Sequence, residues 1–229
     1  MIFGKIDYLN LLPFHIYLKR SPLQSYTKKT IEFKKGVPSR LNKNLRARRV
    51  DAAVVSSIES YQKRYKKLNF GIVAKRDVKS VLVRKNSLPK SDPASASSNL
   101  LAKILDVKGE VIIGDRALKA YLSEGGERFY DLAGLWHERT NLPFVFGRFS
   151  CTKNFSRYKR LTKKFLNQKI KIPNYILATY AKSRGVGKED IKWYLEFISY
   201  KIEPKEQKSL RIFFKEARLL KSRPKQPKM

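Results

Sequence analysis

Residues 51–57, DAAVVSS, constrain the fold of this chain more than any other stretch. An apolar run with no polar alternation suits a strand covered on both faces, and such strands belong to parallel sheets packed between helices. The serines that end the run sit where the carboxyl end of a strand meets the next helix. Similar punctuation recurs nearby. Residues 2–7 (IFGKID) read as a strand, and 9–19 as a helix with Leu9, Leu12 and Ile16 on one face. Pro13 falls in its first turn, where a missing N–H costs nothing. Residues 30–34 (TIEFK) read as a second strand, and after Gly36 a helix opens at Pro38 with Leu41 and Leu45 four apart. A helix over 58–66 and a strand over 69–74 (NFGIVA) complete an alternation that predicts an α/β sheet.

A second unit follows. Residues 79–85 (KSVLVRK) alternate as a strand leaving the first unit, and SLPKSDPASASS is a loop whose Ser97 or Ser98 caps a helix running to 105. Then come a strand at 110–113, Gly114-Asp115, a helix at 116–123, a helix in DLAGLWHERT and a strand at 143–149. Beyond 153 strand signals fade, and helices are expected at about 155–168, 174–184, 188–198 and 204–220, with 221–229 a disordered basic tail. Two α/β lobes joined by strands near 79–84 and 143–149 explain this layout. Residues 1–80 plus about 150–229 form the first lobe with its C-terminal helices, about 81–149 form the second, and a hinged cleft lies between them.

At 229 residues the chain is long enough for two such lobes and a sizeable core. Its 42% hydrophobic and 12% aromatic content belongs to a folded protein. Charge is the outlier: 51 Lys and Arg against 19 Asp and Glu give a net +32, which favours anionic partners without specifying a fold. A single cysteine, Cys151, excludes an intramolecular disulfide, and two histidines cannot furnish a Cys/His-rich zinc site, so no metal is expected. Lys5, Asp7 and Asn10 interrupt the N-terminus, which lacks the form of an export signal. No apolar run approaches the roughly 20 residues of a membrane span, and a cytoplasmic setting without membrane insertion is expected.

In open α/β sheets, ligands bind beyond the carboxyl ends of strands, where helix N-termini offer free N–H groups. Four stretches have that form: Tyr8, Leu9 and Asn10 after the first strand, Ser56 and Ser57 after the apolar run, Ser97 and Ser98, and Gly114 with Asp115. All offer hydrogen bonds suited to an oxygen-rich anion. The plain alternative at each is a helix cap. His15 and His137 lie in helical segments and read as packing or surface residues, and Cys151 reads as structural. From Thr140 to Lys188 there is no acidic residue. That run reads as a solvated helix face rather than a specific nucleic-acid site, because no zinc finger, RNA-recognition sequence or helix-turn-helix signature accompanies it.

The strings GKIDYLNLLPF, GVPSRLNKNLRARRVDAAVVSSIES, VKSVLV, IGDRAL and DLAGLWHERTNLPFVFGRF follow one another over residues 2–149. In that order they resemble the chorismate dehydratases of the futalosine route to menaquinone, and YLEFISYKIEPKEQKSLRIFFKEA extends the likeness less distinctly. The resemblance implies a two-lobed type II periplasmic-binding-protein-like fold with the substrate in the central cleft. It also implies conversion of chorismate, a dianionic small molecule, to 3-enolpyruvylbenzoate plus water, with no metal or organic cofactor. By the same resemblance Asn10 and Ser80 are the catalytic substrate contacts, and Tyr8, Ser56, Ser57, Gly114 and Asp115 line the site. Where the family has a Ser-x-Thr-Ser step this chain has Ser95-Ala96-Ser97-Ser98, whose Ser97 and Ser98 keep the hydroxyls. The family's tryptophan after the PFVF strand corresponds to Phe149, and Arg148 before it is either a further carboxylate partner or a surface cation.

None of these segments holds a His/carboxylate dyad, so the substrate's own enolpyruvyl carboxylate is the expected base, with Asp115 as the protein alternative. Two other functions fit the same fold: non-catalytic binding of a small anion, and the later naphthoate-forming step of the pathway. The YLNLLPF opening favours the dehydratase.

Overall fold

A computed structural model describes residues 1–222 of the chain. It begins with β1 (Phe3–Ile6), a 3-10 turn (Leu9–Leu11), α1 (Leu12–Arg20), α2 (Ser25–Phe33), β2 (Lys35–Gly36) and α3 (Pro38–Arg46). Next are β3 (Ala52–Ser56), α4 (Ser57–Ser60), β4 (Lys66–Ala74), β5 (Val81–Arg84), α5 (Ala96–Ile104) and β6 (Glu110–Ile113). α6 (Gly114–Glu124), β7 (Phe129–Asp131), α7 (Leu132–Thr140) and β8 (Phe144–Cys151) precede the C-terminal elements α8 (Phe155–Leu166), α9 (Asn174–Arg184), α10 (Lys188–Glu196), β9 (Ile198–Lys201) and α11 (Pro204–Ser222).

The apolar run becomes β3, buried at every position, in the middle of a six-stranded sheet ordered β2-β1-β3-β8-β4-β9. β1 runs parallel to β2 and β3, whereas β8 runs antiparallel to both β3 and β4. The second sheet, β6-β5-β7, is antiparallel, with Val81 opposite Ile113 and Leu82 opposite Asp131. Aromatic rings weld the first sheet to its helices: Phe3 stacks on Phe149 at 5.5 Å, and Phe14 meets Phe70 at 4.7 Å and Phe165 at 5.1 Å. Such pairs add about 0.5–1.5 kcal/mol each beyond the area that they bury. Among the described residues no helix is long and apolar enough to cross a membrane.

Four sequence expectations are corrected. Residues 30–33 are helical: Thr27, Thr30 and Ile31 are buried on one face of α2, and the Thr30 hydroxyl donates to the Thr27 carbonyl at 2.7 Å. The helix read over 58–66 stops at Ser60, and β4 begins at Lys66. β9 lies where the helix over 188–198 was expected to end, and its pairing to β4 closes one edge of the large sheet. Finally, residues 144–149, assigned above to the second lobe, pair with β3 and β4 of the large sheet; the chain has already returned from the small sheet by then. Of the tail 221–229 expected to be disordered, residues 221–222 continue α11, and 223–229 lie outside the described residues.

Candidate functional site

Where the two sheets face each other, Ile6, Tyr8, Asn10, Val55, Ser56, Ile72, Ser80, Ser95, Ser98, Gly114 and Phe146 surround a cavity of about 40 Å³. The strand-to-helix junctions supply most of its polar atoms. β1 leads through Tyr8 into the 3-10 turn carrying Asn10, which is 8% exposed. β3 ends at Ser56, which is locked to α3: Asn42 Nδ2 donates to Ser56 Oγ at 3.0 Å, and Ser56 N–H donates to Asn42 Oδ1 at 3.2 Å. At α5, Ser95 caps the helix by accepting from Ser98 N–H at 3.2 Å, and its hydroxyl donates to Ser98 Oγ at 2.7 Å.

Gly114 starts α6 at φ +67°, and a Cβ there would stand 2.9 Å from three atoms of the Tyr8 ring. Glycine is therefore required on two counts, the left-handed backbone and the ring packed against it. Burial and the nearby Asp92 and Asp115 push the Tyr8 phenol up to about 12, so it stays a neutral donor. Ser80 is placed by its own approach. Lys79 before it takes φ +58°, and Asp131 Oδ2 accepts from Val78 and Lys79 N–H at 2.9 and 2.8 Å. The other oxygen of Asp131 caps α7 by accepting from Ala133 and Gly134 N–H.

Two residues that sequence reasoning missed complete this polar set. The Tyr194 hydroxyl from α10 lies 2.8 Å from Ser80 Oγ. Burial holds that phenol far above its ordinary range. The Tyr200 hydroxyl from β9 donates to the Asn10 carbonyl at 2.7 Å. Both tyrosines lie in YLEFISY, the least distinct part of the resemblance and the only sequence signal for them. Nothing local marked Asn42.

Of the residues expected at the site, Tyr8, Asn10, Ser56, Ser80, Ser98 and Gly114 surround the cavity, and Ser57, Ser97, Asp115 and Arg148 do not. Ser57 donates its hydroxyl to the Val145 carbonyl. Ser97 Oγ accepts from Ile58 N–H at 3.1 Å, tying α5 to α4 across the two units. Asp115 Oδ1 accepts from Leu9 N–H at 2.9 Å, and Arg184 Nε stands 2.7 Å from Oδ2 as an ion pair out of line for a hydrogen bond. Burial raises the Asp115 carboxyl to about 6 against the opposing pull of Leu9 and Arg184. Arg148 is turned to the neighbouring strand, donating to the Leu68 carbonyl at 3.0 Å and Asn69 Oδ1 at 3.3 Å. Phe149 belongs to the aromatic core. Cys151 is fully buried and its thiol is pushed up to about 12, outside nucleophilic chemistry. His15 is buried against Phe3 and Phe14, and burial holds its imidazole well below the usual range.

Chemically, the cavity is a ring of neutral hydroxyl, amide and helix-terminal groups with an apolar floor. It can orient a carboxylate and a hydroxyl, and none of its lining side chains is a carboxylate or imidazole. Asn10 Oδ1 is buried there without a protein partner among the described residues.

A family model described as menaquinone biosynthesis matches residues 1–108 and 96–219. A chorismate dehydratase of Campylobacter jejuni subsp. jejuni serotype O:23/36 (strain 81-176) is 55% identical over 221 residues, covering 96% of this chain and 99% of that one. The crystal structure of an Archaeoglobus fulgidus protein superposes with a TM-score of 0.71 at 14% identity, covering 96% of this chain and 97% of its own. A Candida albicans protein described as having the generic periplasmic binding protein structural fold gives a TM-score of 0.52 at 12% identity over 93% and 90% of the two chains. The two structural likenesses establish the periplasmic-binding-protein-like α/β fold that the sequence led us to expect.

Proposed function

This chain belongs to the menaquinone-biosynthesis family, and from that premise we propose that it is a chorismate dehydratase, a carbon–oxygen lyase that turns chorismate into 3-enolpyruvylbenzoate and water. The observation that carries the reading is 55% identity with a chorismate dehydratase over 96% of this chain. The cavity supports it: its neutral donors and its unpaired Asn10 Oδ1 suit a ligand bearing both carboxylates and a hydroxyl.

The elimination balances without a co-reactant. The C3–H bond breaks, its electron pair forms the C3–C4 double bond, and the C4–O bond breaks. The C3 proton ends on the departing hydroxide as water, and the ring becomes aromatic. Because the step is downhill, the protein's task is orientation and stabilisation of charge developing toward the ring carboxylate. In this reading Asn10 and Ser80 contact the substrate, with Tyr8, Ser56, Ser98 and Gly114 around it, and no metal or organic cofactor takes part.

The enolpyruvyl carboxylate removes the C3 proton. Asp115 is less suited to that role, since Leu9 N–H and Arg184 engage its oxygens outside the cavity lining. Arg148, Ser57 and Ser97 hold the walls instead of the substrate. We further place the protein in the cytoplasm, where chorismate is available.

Purified protein incubated with chorismate should yield a product lighter by one water, followed by chromatography with ultraviolet and mass detection. Asn10→Ala and Ser80→Ala should each slow its formation by about 10²-fold or more. Chorismate that binds unchanged would move the reading to an anion-binding protein. Chorismate that neither binds nor reacts would end it.

A further inference from the structure

Lys79 takes φ +58°, a left-handed conformation that glycine adopts freely and that a residue with a Cβ keeps only when its surroundings hold it there. It stands on the link from β4 of the large sheet to β5 of the small one, and Ser80 of the cavity lining follows it directly.

The Lys79 side chain shows what does the holding. Its Nζ lies 5.2 Å from the ring centre of Tyr121 on α6 and 5.5 Å from that of Phe197 at the end of α10, both within reach of a cation–π contact. Trp193 of α10 stacks on Tyr121 at 6.2 Å and meets Phe197 edge-on at 4.8 Å, so the three rings form one cluster. α6 follows β6 of the small sheet and α10 precedes β9 of the large one; a single cation therefore joins rings from both units. Asp77 Oδ2 adds an ion pair at 2.6 Å, and the Lys79 side chain is left 14% exposed. Lys79 is not among the cavity-lining residues, so its charge serves the rings and not a ligand there.

The backbone on either side makes this contact matter for the site. Lys79 N–H donates to Asp131 Oδ2 at 2.8 Å, and the Ser80 carbonyl accepts from Gly114 N–H at 2.8 Å. Between those two bonds lie the torsions of Lys79 and Ser80, and the anchored Lys79 side chain restrains the first pair. We propose that Lys79 is a positioning residue: its ammonium, held by Tyr121 and Phe197, keeps the crossover in the left-handed turn that presents Ser80 to the cleft. Its effect on turnover rests on the dehydratase reading above, in which Ser80 contacts the substrate; the anchoring of the crossover does not.

Lys79→Met is the test, because methionine keeps the Cβ and an apolar stem and removes the charge, while Asp77, 44% exposed, falls back on water. The first readout needs no substrate. Exchange of the Gly114 amide proton for deuterium, followed by NMR, should quicken by about tenfold or more in K79M while the amides of β3 keep their wild-type rates. In chorismate turnover, kcat should fall by about tenfold or more with KM within about threefold, and Lys79→Arg, which keeps a cation for the rings, should stay within about threefold of wild type. In a Ser80→Ala background K79M should change kcat by less than about twofold, since a group acting through Ser80 has nothing left to act on. Should K79M not fold, Lys79→Gly takes its part with the same results expected, since glycine adopts φ +58° without strain. Gly114 exchange or kcat within about twofold of wild type, an arginine variant as slow as K79M, or an equal loss in both backgrounds overturns the proposal. Wild-type protein that leaves chorismate intact ends the dehydratase reading, and Gly114 exchange then still decides whether Lys79 holds the crossover.

Discussion

Asp115 illustrates how a residue at a strand-to-helix junction can sit beside the cavity while its carboxylate is turned to other partners. The GD step after β6 placed it beside Gly114, and the structure has Gly114 at the cavity while the carboxylate turns away to the Leu9 N–H and Arg184. Its carboxyl is raised from 3.8 to about 6 by burial, so the folded state holds the proton more tightly than the unfolded state does. The associated stability is full below the unfolded value and is lost as pH rises through about 6, on the order of 2–3 kcal/mol in all. Asp115→Asn keeps an acceptor for Leu9 and removes the titration. The melting temperature of wild type minus that of D115N should therefore fall between about pH 4 and pH 7. Parallel melting curves across that window would sink the assignment. Turnover by D115N should stay within about tenfold of wild type if the substrate supplies the base, whereas a protein base would lose 10²-fold or more.

Among the elements, the junctions were the most legible part, for a physical reason. A buried strand that stops at Ser, Gly or Asn and restarts as a helix leaves both a composition signal and a capping signal, so β1, β3, α5 and β6 with α6 could be placed within a few residues. What failed were short windows. TIEFK is rich in strand formers, but five residues are too few to reveal that Thr27, Thr30 and Ile31 share a helical face. β9 is four residues long and its apolar positions continue the period of α10, so it was absorbed into that helix and took Tyr200 with it. Tyr194 was hidden differently: nothing in a helix sequence says that one ring reaches a serine 114 positions away.

The crossover before β5 carries an element-scale prediction of its own. Asp131 accepts four backbone N–H bonds, two from the crossover and two from the first turn of α7. Losing a helix cap costs about 1 kcal/mol, and a buried charged acceptor adds about 1.5–3. Asp131→Ala should lower stability by roughly 2–4 kcal/mol in denaturant unfolding and slow turnover, since Ser80 follows directly. A loss under about 0.5 kcal/mol would mean that the crossover is held by other contacts.

At the scale of the whole molecule, a cavity of about 40 Å³ has room for only a few waters, whereas occupied ligand pockets run to roughly 300–1,000 Å³. We propose that the two sheets part to admit a ring acid and close again around it, a motion that would break and remake contacts such as Ser97 to Ile58 and Asp115 to Leu9. Encounter with the open form is where the charge of the chain acts. A net +32, with Arg157, Lys159, Arg160, Lys163 and Lys164 all exposed on α8, draws a dianion toward the protein at long range. Closure then shields the reacting atoms, so the chemical step feels fixed dipoles rather than the distant field. Salt should therefore act on capture and spare chemistry. Raising ionic strength from about 20 to 300 mM should reduce kcat/KM for chorismate by roughly threefold to tenfold and leave kcat within about twofold. Lys159→Glu with Lys163→Glu should flatten that dependence at unchanged kcat. If kcat itself fell with salt while kcat/KM held steady, the positive field would belong to the closed site and not to its approach.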